Sequence, residues 1–479
     1  MDRELHRDEA GLLDRVYSLI SLMNGFPDEV SDEEAEGIVR VLPHDTANAV
    51  TALFRPRVRR ASLAFFKMLG SWLERARRVR EEGGKVILVP FNFPVEAIHV
   101  FRRAVPVTSE VLTTLGVVAL EGQGERYWDF AMSLGLPDNL CSANTVELGS
   151  ILTERDFAPD AIVQAAVGGC DVNSKIHEFV AHYLGIPQFI LEKPTECTSR
   201  GRRRYLQNFI SLMEQLQEFI GEELEEERMR EVMELANRCT DLQNEIWELH
   251  RNIPNPVPNV FALFSYGTRF SCWGREEGVR TLEEMRDSIL RMMRSGDIPE
   301  RERARCIWIY TGYYFDFLGF FDWMEEQGIS YLGDGLDLFF PARVDTSGLE
   351  SMIEGMAEAA WNMPMTRQVG GDSMWARWLD DVIYAIRDLG ADCAIYSGHH
   401  SCKQTWSVFA AVRNEIARRA GVPTLCLQGD SWIRRMTPMS VLQEEISRFV
   451  DTVVCPVGRK RRERRRRGSF RLSGSPAEG

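Results

Sequence analysis

The chain has 479 residues, with 57 Lys and Arg against 71 Asp and Glu for a net charge of −14, 44% hydrophobic residues and ten cysteines. That length exceeds one ordinary core and predicts two or three domains, the acidic balance argues against a nucleic-acid-binding body, and the cysteines are too sparse for a disulfide scaffold. No apolar run reaches the roughly eighteen residues of a membrane span and the opening Met1-Asp2-Arg3-Glu4 is too polar for a secretory signal, so the expectation is a cytoplasmic protein with reduced thiols.

Residues 1–80 read as a helical N-terminal segment, with apolar spacing at Leu12, Val16, Leu19, Ile20 and Met23 and again at Leu63, Phe66, Leu69 and Leu73. The run KVILVP at 85–90 predicts a first buried strand, and Pro94 stands where a helix can start without needing its missing N–H. Strand and helix then alternate to Pro194.

The texture changes at 204–251 to two long helical patterns, broken at Gly221 and closed by Pro254, Pro256 and Pro258: a helical hairpin set between α/β units. The acidic run 222–227 reads as a solvated helix face. After a helical connector around 283–295, RCIWIY at 305–310 opens a second α/β unit. It continues through a helix at 317–327, a short strand near Tyr331, helices at 349–360 and 374–389, and a last strand at 452–455. The tail 459–467 is basic at eight of nine positions and reads as disordered and solvated.

Alternating strands and helices imply parallel sheets. The predicted fold class is therefore α/β: two doubly wound, Rossmann- or flavodoxin-like domains facing a cleft. The domains span 81–203 and 301–458, with the helical segment 1–80, a helical insert and connector at 204–300, and the basic tail 459–479.

One unit is written twice. Residues 161–194 read strand, Gly168-Gly169 turn, helix, strand, and residues 392–430 repeat the pattern, with Gly185-Ile186-Pro187 answered by Gly421-Val422-Pro423. In each copy a cysteine, Cys170 or Cys402, follows the strand at its carboxyl end, where ligands sit in open α/β sheets.

A cysteine is more often a small buried hydrophobe than a ligand. Cys306, Cys393, Cys426 and Cys455 fall in predicted strands and Cys239 on an apolar helix stripe, so these five read as core. Cys141, Cys170 and Cys402 sit in or beside turns, where a thiolate can face a cleft. No C-x-x-C occurs, which removes a zinc ribbon but leaves both a core reading and a shared metal site open for these three. Three thiolates without a fourth suit an iron–sulfur cluster with one iron left open. His399 and His400 read equally as ligands, acids or loop hydrogen-bonders, while His177 and Glu178 read as helix-surface residues. No phosphate-binding loop is present, so any nucleotide energy comes from another protein.

The segments PFNFPVEAIHVF, LPDNLCSANTVELGSIL, GGCDVNSKIHEFVAHYLGIPQFILEKP, HHSCKQTWSVFAAVRNEIARRAGVPTLCLQGD and RRMTPMSVLQEEISRFV occur in that order between residues 85 and 454, with Asn237 in the helical insert. Together they resemble the 2-hydroxyacyl-CoA dehydratase and benzoyl-CoA reductase subunit family, of the 2-hydroxyglutaryl-CoA dehydratase D-component type. The resemblance implies a 4Fe-4S cluster on three cysteines, here matched by Cys141, Cys170 and Cys402, and an ATP-dependent iron–sulfur activator that delivers one low-potential electron. It implies an acyl-CoA substrate whose ketyl radical expels a 2-hydroxyl group or permits ring reduction. It also implies a related second subunit, or a second copy, as dimer partner. Pro94-Val95-Glu96 matches the family's proline-x-glutamate motif, which implies an acid or base at Glu96; a plain N-terminal helix carboxylate is the alternative. Two other functions remain compatible: an ATP-dependent reductase of another small molecule with a modified or double cluster, and a non-catalytic paralogous subunit for assembly or electron relay. The first eighty residues and the arginine tail lie outside the resemblance.

Overall fold

The structure is a computed structural model that describes residues 11–456 apart from 26, 28–29, 42–50, 117–123, 154–157, 167–169, 338–341, 365 and 368–373. The opening tetrapeptide, the Gly168-Gly169 turn and the arginine-rich tail lie outside the described residues.

The N-terminal segment is helical: α1 (Leu12–Asn24), α2 (Asp32–Val41) and α3 (Arg59–Glu81). α3 buries Ala61, Phe65, Met68, Trp72, Ala76 and Val79, a stripe at spacings of three and four that fits one face of a helix. Trp72 donates its indole N–H to the carbonyl of Pro106 at 2.8 Å, tying the segment to the first sheet.

That sheet comprises β1 (Lys85–Val89), β2 (Ala104–Thr108), β3 (Ala161–Ala166) and β4 (Gln188–Glu192), all parallel, in the order β2-β1-β3-β4. Between the strands lie α4 (Glu96–His99), α5 (Ser109–Leu115), α6 (Glu125–Ser133), α7 (Ser142–Thr153) and α8 (Asp171–Leu184). β2 carries Pro106 and lies at the sheet's edge, where a missing ladder donor costs least.

The helical insert is α9 (Ser199–Ile220) and α10 (Glu226–Leu249), followed by α11 (Phe261–Arg269) and α12 (Glu276–Ser295). α9 starts before the apolar pattern does, because Thr198 caps it by accepting the N–H of Gly201 at 3.2 Å. The acidic run is the expected solvated helix face only at Glu226 and Glu227, exposed in the first turn of α10. Residues 222–225 form the turn between the two helices, and Glu222 there accepts the backbone N–H groups of Arg102 and Arg103 at 2.7 and 2.8 Å.

The second sheet comprises β5 (Ala304–Ile309), β6 (Ile329–Tyr331), β7 (Cys393–Tyr396) and β8 (Thr424–Cys426), again parallel, in the order β6-β5-β7-β8. Its helices are α13 (Phe317–Glu326), α14 (Leu349–Asn362), α15 (Leu379–Asp388), α16 (Lys403–Arg419) and α17 (Met439–Phe449). The strand expected at 452–455 is instead a π-helical continuation of α17 over Val450–Val454, so Cys455 is not a strand residue. Ile446, Val450 and Val454 are buried at a spacing of four while Val453 is exposed, a helical stripe disguised by its β-branched composition.

The two sheets share one connectivity, which is the duplication read in the sequence. Gly185 and Gly421 end the equivalent helices with φ of +68° and +66°, a left-handed backbone that favours glycine. Since β1 connects outward to β2 and the chain then crosses to β3, the switch point lies at the carboxyl ends of β1 and β3, and equivalently of β5 and β7. Cys170 and Cys402 follow β3 and β7 at those places.

Two buried clamps hold the insert against the second sheet. Arg305 on β5 pairs with Glu302 at 2.9 Å and donates to the carbonyls of His250, Asn252 and Leu389. Asn237 on α10 bonds both backbone groups of Val344, donating at 2.8 Å and accepting at 2.7 Å. Asn237→Ala removes both bonds, and at about 0.5–1.5 kcal/mol each a loss of about 1–3 kcal/mol is expected in urea unfolding at unchanged slope.

Candidate functional site

Three helices begin at the three turn cysteines. Cys141 precedes α7, and its carbonyl accepts the N–H of Thr145 at 3.0 Å. Cys170 is the N-cap of α8, its sulfur accepting the N–H of Asn173 at 3.4 Å. Cys402 is the N-cap of α16, with its sulfur 3.0 Å from the Thr405 hydroxyl. The Cys170 sulfur therefore occupies the place a capping serine oxygen takes, and all three sulfurs stand at the positive end of a helix dipole.

Burial pushes all three thiols up, Cys170 to about 12. Cys170 and Cys402 also raise Cys141, and Cys402 raises Cys170, so the three sulfurs lie within electrostatic reach of one another. N–H groups of the helices oppose the rise: Asn144 at Cys141, Asn173 at Cys170, Gln404 and Thr405 at Cys402. Without metal these are protonated thiols, two of them buried and Cys170 half-buried, and a soft metal that displaces the protons finds anion-stabilising dipoles already aimed at the sulfurs. Among the described residues, no three His, Cys, Asp or Glu side chains converge tightly enough to hold a single ion.

Two residues fix the walls. Asp430, fully buried after β8, accepts from the Ser142 hydroxyl at 2.6 Å and the His400 N–H at 2.8 Å through one oxygen. Its other oxygen accepts the N–H groups of Trp432 and Ile433, both at 2.8 Å. It thereby joins the turn of Cys141 to the turn of Cys402. Tyr310, at the end of β5, has φ of +91°, alone among described non-glycine residues in the left-handed region, and its side chain bonds to the Cys402 sulfur. A strained backbone held at such a place is characteristic of functional sites. The buried His399 packs edge-on to Tyr310, and burial lowers it to about 4 against the pull of Asp430. His400 is exposed.

Behind Cys170 lies a buried acid–base group on three helices. His177 is not at the surface as expected: fully buried, it stands 2.6 Å from Glu147, while Glu178 is exposed. Burial alone would push Glu147 up and His177 down, but their mutual attraction prevails, holding Glu147 low and His177 high. Glu110 on α5 is pushed up to about 8 by burial and by the negative Glu147.

Glu96 opens α4, fully enclosed, with Arg269 of α11 at 3.7 Å. Burial raises it, Arg269 opposes, and its second oxygen has no hydrogen-bond partner among the described residues. Its neighbourhood is that of Cys239 and Arg269 in the helical insert, whereas the groups acting on the three turn cysteines are one another, Asp171, Glu110 and Asp430. The five cysteines read as core are buried or half-buried, and Cys306 and Cys393 are register partners with sulfurs 3.1 Å apart.

No curated protein sequence matches the chain. The family described as 2-hydroxyglutaryl-CoA dehydratase, D-component, matches residues 90–453, a span that takes in every strand of the two sheets except β1, the helical insert and all three turn cysteines. No helix among the described residues is long and apolar enough to cross a membrane. With most of its length matched, the chain belongs to the 2-hydroxyglutaryl-CoA dehydratase D-component family, subunits of 2-hydroxyacyl-CoA dehydratase systems.

Proposed function

We propose that this subunit holds a 4Fe-4S cluster on Cys141, Cys170 and Cys402, takes a low-potential electron from an ATP-dependent iron–sulfur activator, and serves radical dehydration or reduction of a (2-hydroxy)acyl-CoA thioester. What supports the reading is that the three thiols stand at the starts of three different helices and lie within electrostatic reach of one another. The donor set fits the group. Each thiolate of such a cluster binds a different iron, so the sulfurs need not crowd around one ion, and three leave one iron open. The bound cluster supplies one-electron chemistry at that open position.

The chain's own part is to keep the thiolates dry, oriented by three helix N-termini, and tied together through Asp430. Glu96 is proposed to hold or move a proton for the substrate, since a carboxyl that burial pushes up against the pull of Arg269 suits either role. A reducing cytoplasm suits a chain whose cysteines are in no disulfide, and a related second subunit or a second copy completes the enzyme. Anaerobically prepared and reconstituted protein is expected to contain four irons and four sulfides per chain by colorimetric analysis. Absence of both removes the reading, and a higher iron count turns it towards a double-cluster reductase.

A further inference from the structure

The hydrogen bonds behind Cys170 form a closed pattern. Asn144 on α7 accepts from the Cys170 sulfur at 3.5 Å and donates to Glu147 at 3.2 Å. Asn173 on α8 donates its backbone N–H to the same sulfur at 3.4 Å and its side-chain amide to Glu110 at 3.3 Å. Ser109 donates to Glu110 at 3.1 Å and also bonds Glu147. Two carboxyl groups thus stand one amide away from the half-buried Cys170 sulfur and share a hydroxyl between them, and the carboxyls, amides and hydroxyl are all in the interior.

Charge decides which of them is ionised. One imidazole can neutralise one carboxylate, and His177 is committed to Glu147 at 2.6 Å. A second carboxylate in the same dry volume has no cation, so its proton stays on until the pH is high. The groups facing Glu110 are Glu147 from α7, His177 from α8 and, beyond Asn173, Cys170 with Asp171; β2, packed on α5, ends in the uncharged Thr108.

We infer that Glu110, Glu147 and His177 form a proton-holding site for the cysteine centre, in which Glu110 keeps its proton while the interior is dry and, where it is ionised, takes one up when that centre gains negative charge. The inference rests on the iron–sulfur reading for the source of that charge. Amides do not pass protons readily, so the coupling runs through the field: charge added at the sulfur reaches Glu110 across one amide in a low-dielectric interior. The step balances. With a cluster held by the three cysteines and Glu110 ionised, the one electron that a low-potential donor gives up to it would be matched by one proton from solvent that forms the O–H bond on the Glu110 carboxylate, leaving the buried charge unchanged. Glu110 here is a positioning residue that acts on the centre through Asn173.

Two measurements test it separately. On the iron-free chain, infrared spectroscopy is expected to show a protonated carboxyl band that shifts in D2O, fades as pH rises through about 8, and is missing in Glu110→Gln. On the iron-loaded chain, redox titration with a low-potential dye series is expected to give a midpoint potential that falls with rising pH over the range in which Glu110 ionises, and a flat profile in Glu110→Gln. Should Glu110→Gln fail to fold by circular dichroism, Glu147→Gln serves instead. Removing the negative neighbour lets Glu110 ionise at lower pH, so both the band and the slope shift downward. A missing band overturns the inference whatever the iron content. A band with an equal slope in wild type and Glu110→Gln also overturns it, whereas a chain that binds no iron fails the iron–sulfur reading and leaves the infrared result standing.

Discussion

Cys402→Ser is expected to leave the fold and subunit pairing intact while reducing turnover of a reconstituted system by more than about a hundredfold, since even the outer partners of a metal ligand cost 10–100-fold when changed. The substitution is nearly isosteric, and serine is itself a favoured N-cap, so α16 keeps its first turn and the contact with Thr405. What is lost is the soft, ionisable sulfur that selects iron–sulfur centres. Iron content, turnover with activator and acyl-CoA, and elution volume on gel filtration separate the outcomes. Unchanged turnover would assign the chain to the non-catalytic, assembly or relay role, and loss of pairing would make Cys402 structural.

The same substitution at Cys170 is expected to act alike, because the two positions are equivalent in the duplicated sheets. That equivalence is legible in the amino-acid order alone. A short apolar strand, a helix period and a Gly-x-Pro stop recur, and local chain chemistry controls each of them. β2 does not stand out in the same way, since Pro106 interrupts its pattern, and the end of α17 reads as a strand because Val453, Val454 and Cys455 carry β-like composition on a helical stripe.

The acid–base group behind Cys170 is invisible in the sequence for a different reason. Glu110, Glu147 and His177 each sit on a helix, and a charged residue there reads as solvent-facing until another helix covers it. The one local hint is Asn144 and Glu147, three apart on α7, a spacing that puts two polar groups on one helix face. Asp430 stands in the repeated stretch without a legible role because Ser142, one of its partners, is 288 positions away.

Asp430→Ala is expected to be the most damaging single change near the site, for it leaves four donors without their acceptor: the Ser142 hydroxyl and the N–H groups of His400, Trp432 and Ile433. Buried donors stripped of a partner cost about 1–3 kcal/mol each. Even with Ser142 finding another acceptor, a loss of about 3–5 kcal/mol in chemical denaturation is expected, comparable to breaking a buried charged network. Asp430→Asn should cost less, because its carbonyl oxygen can still serve Trp432 and Ile433, and Ser142 can reverse to accept from the new amide; only the His400 N–H then meets a donor. Iron retention distinguishes a fold effect from a site effect. Ser142 adjoins Cys141 and His400 lies two residues before Cys402, so in Asp430→Asn, still folded at room temperature, the two turns are no longer drawn to one point. Iron affinity should fall in that variant by more than its stability loss predicts. If it folds and binds iron as the parent does, Asp430 braces the loop after β8 and has no part in bringing the thiols together.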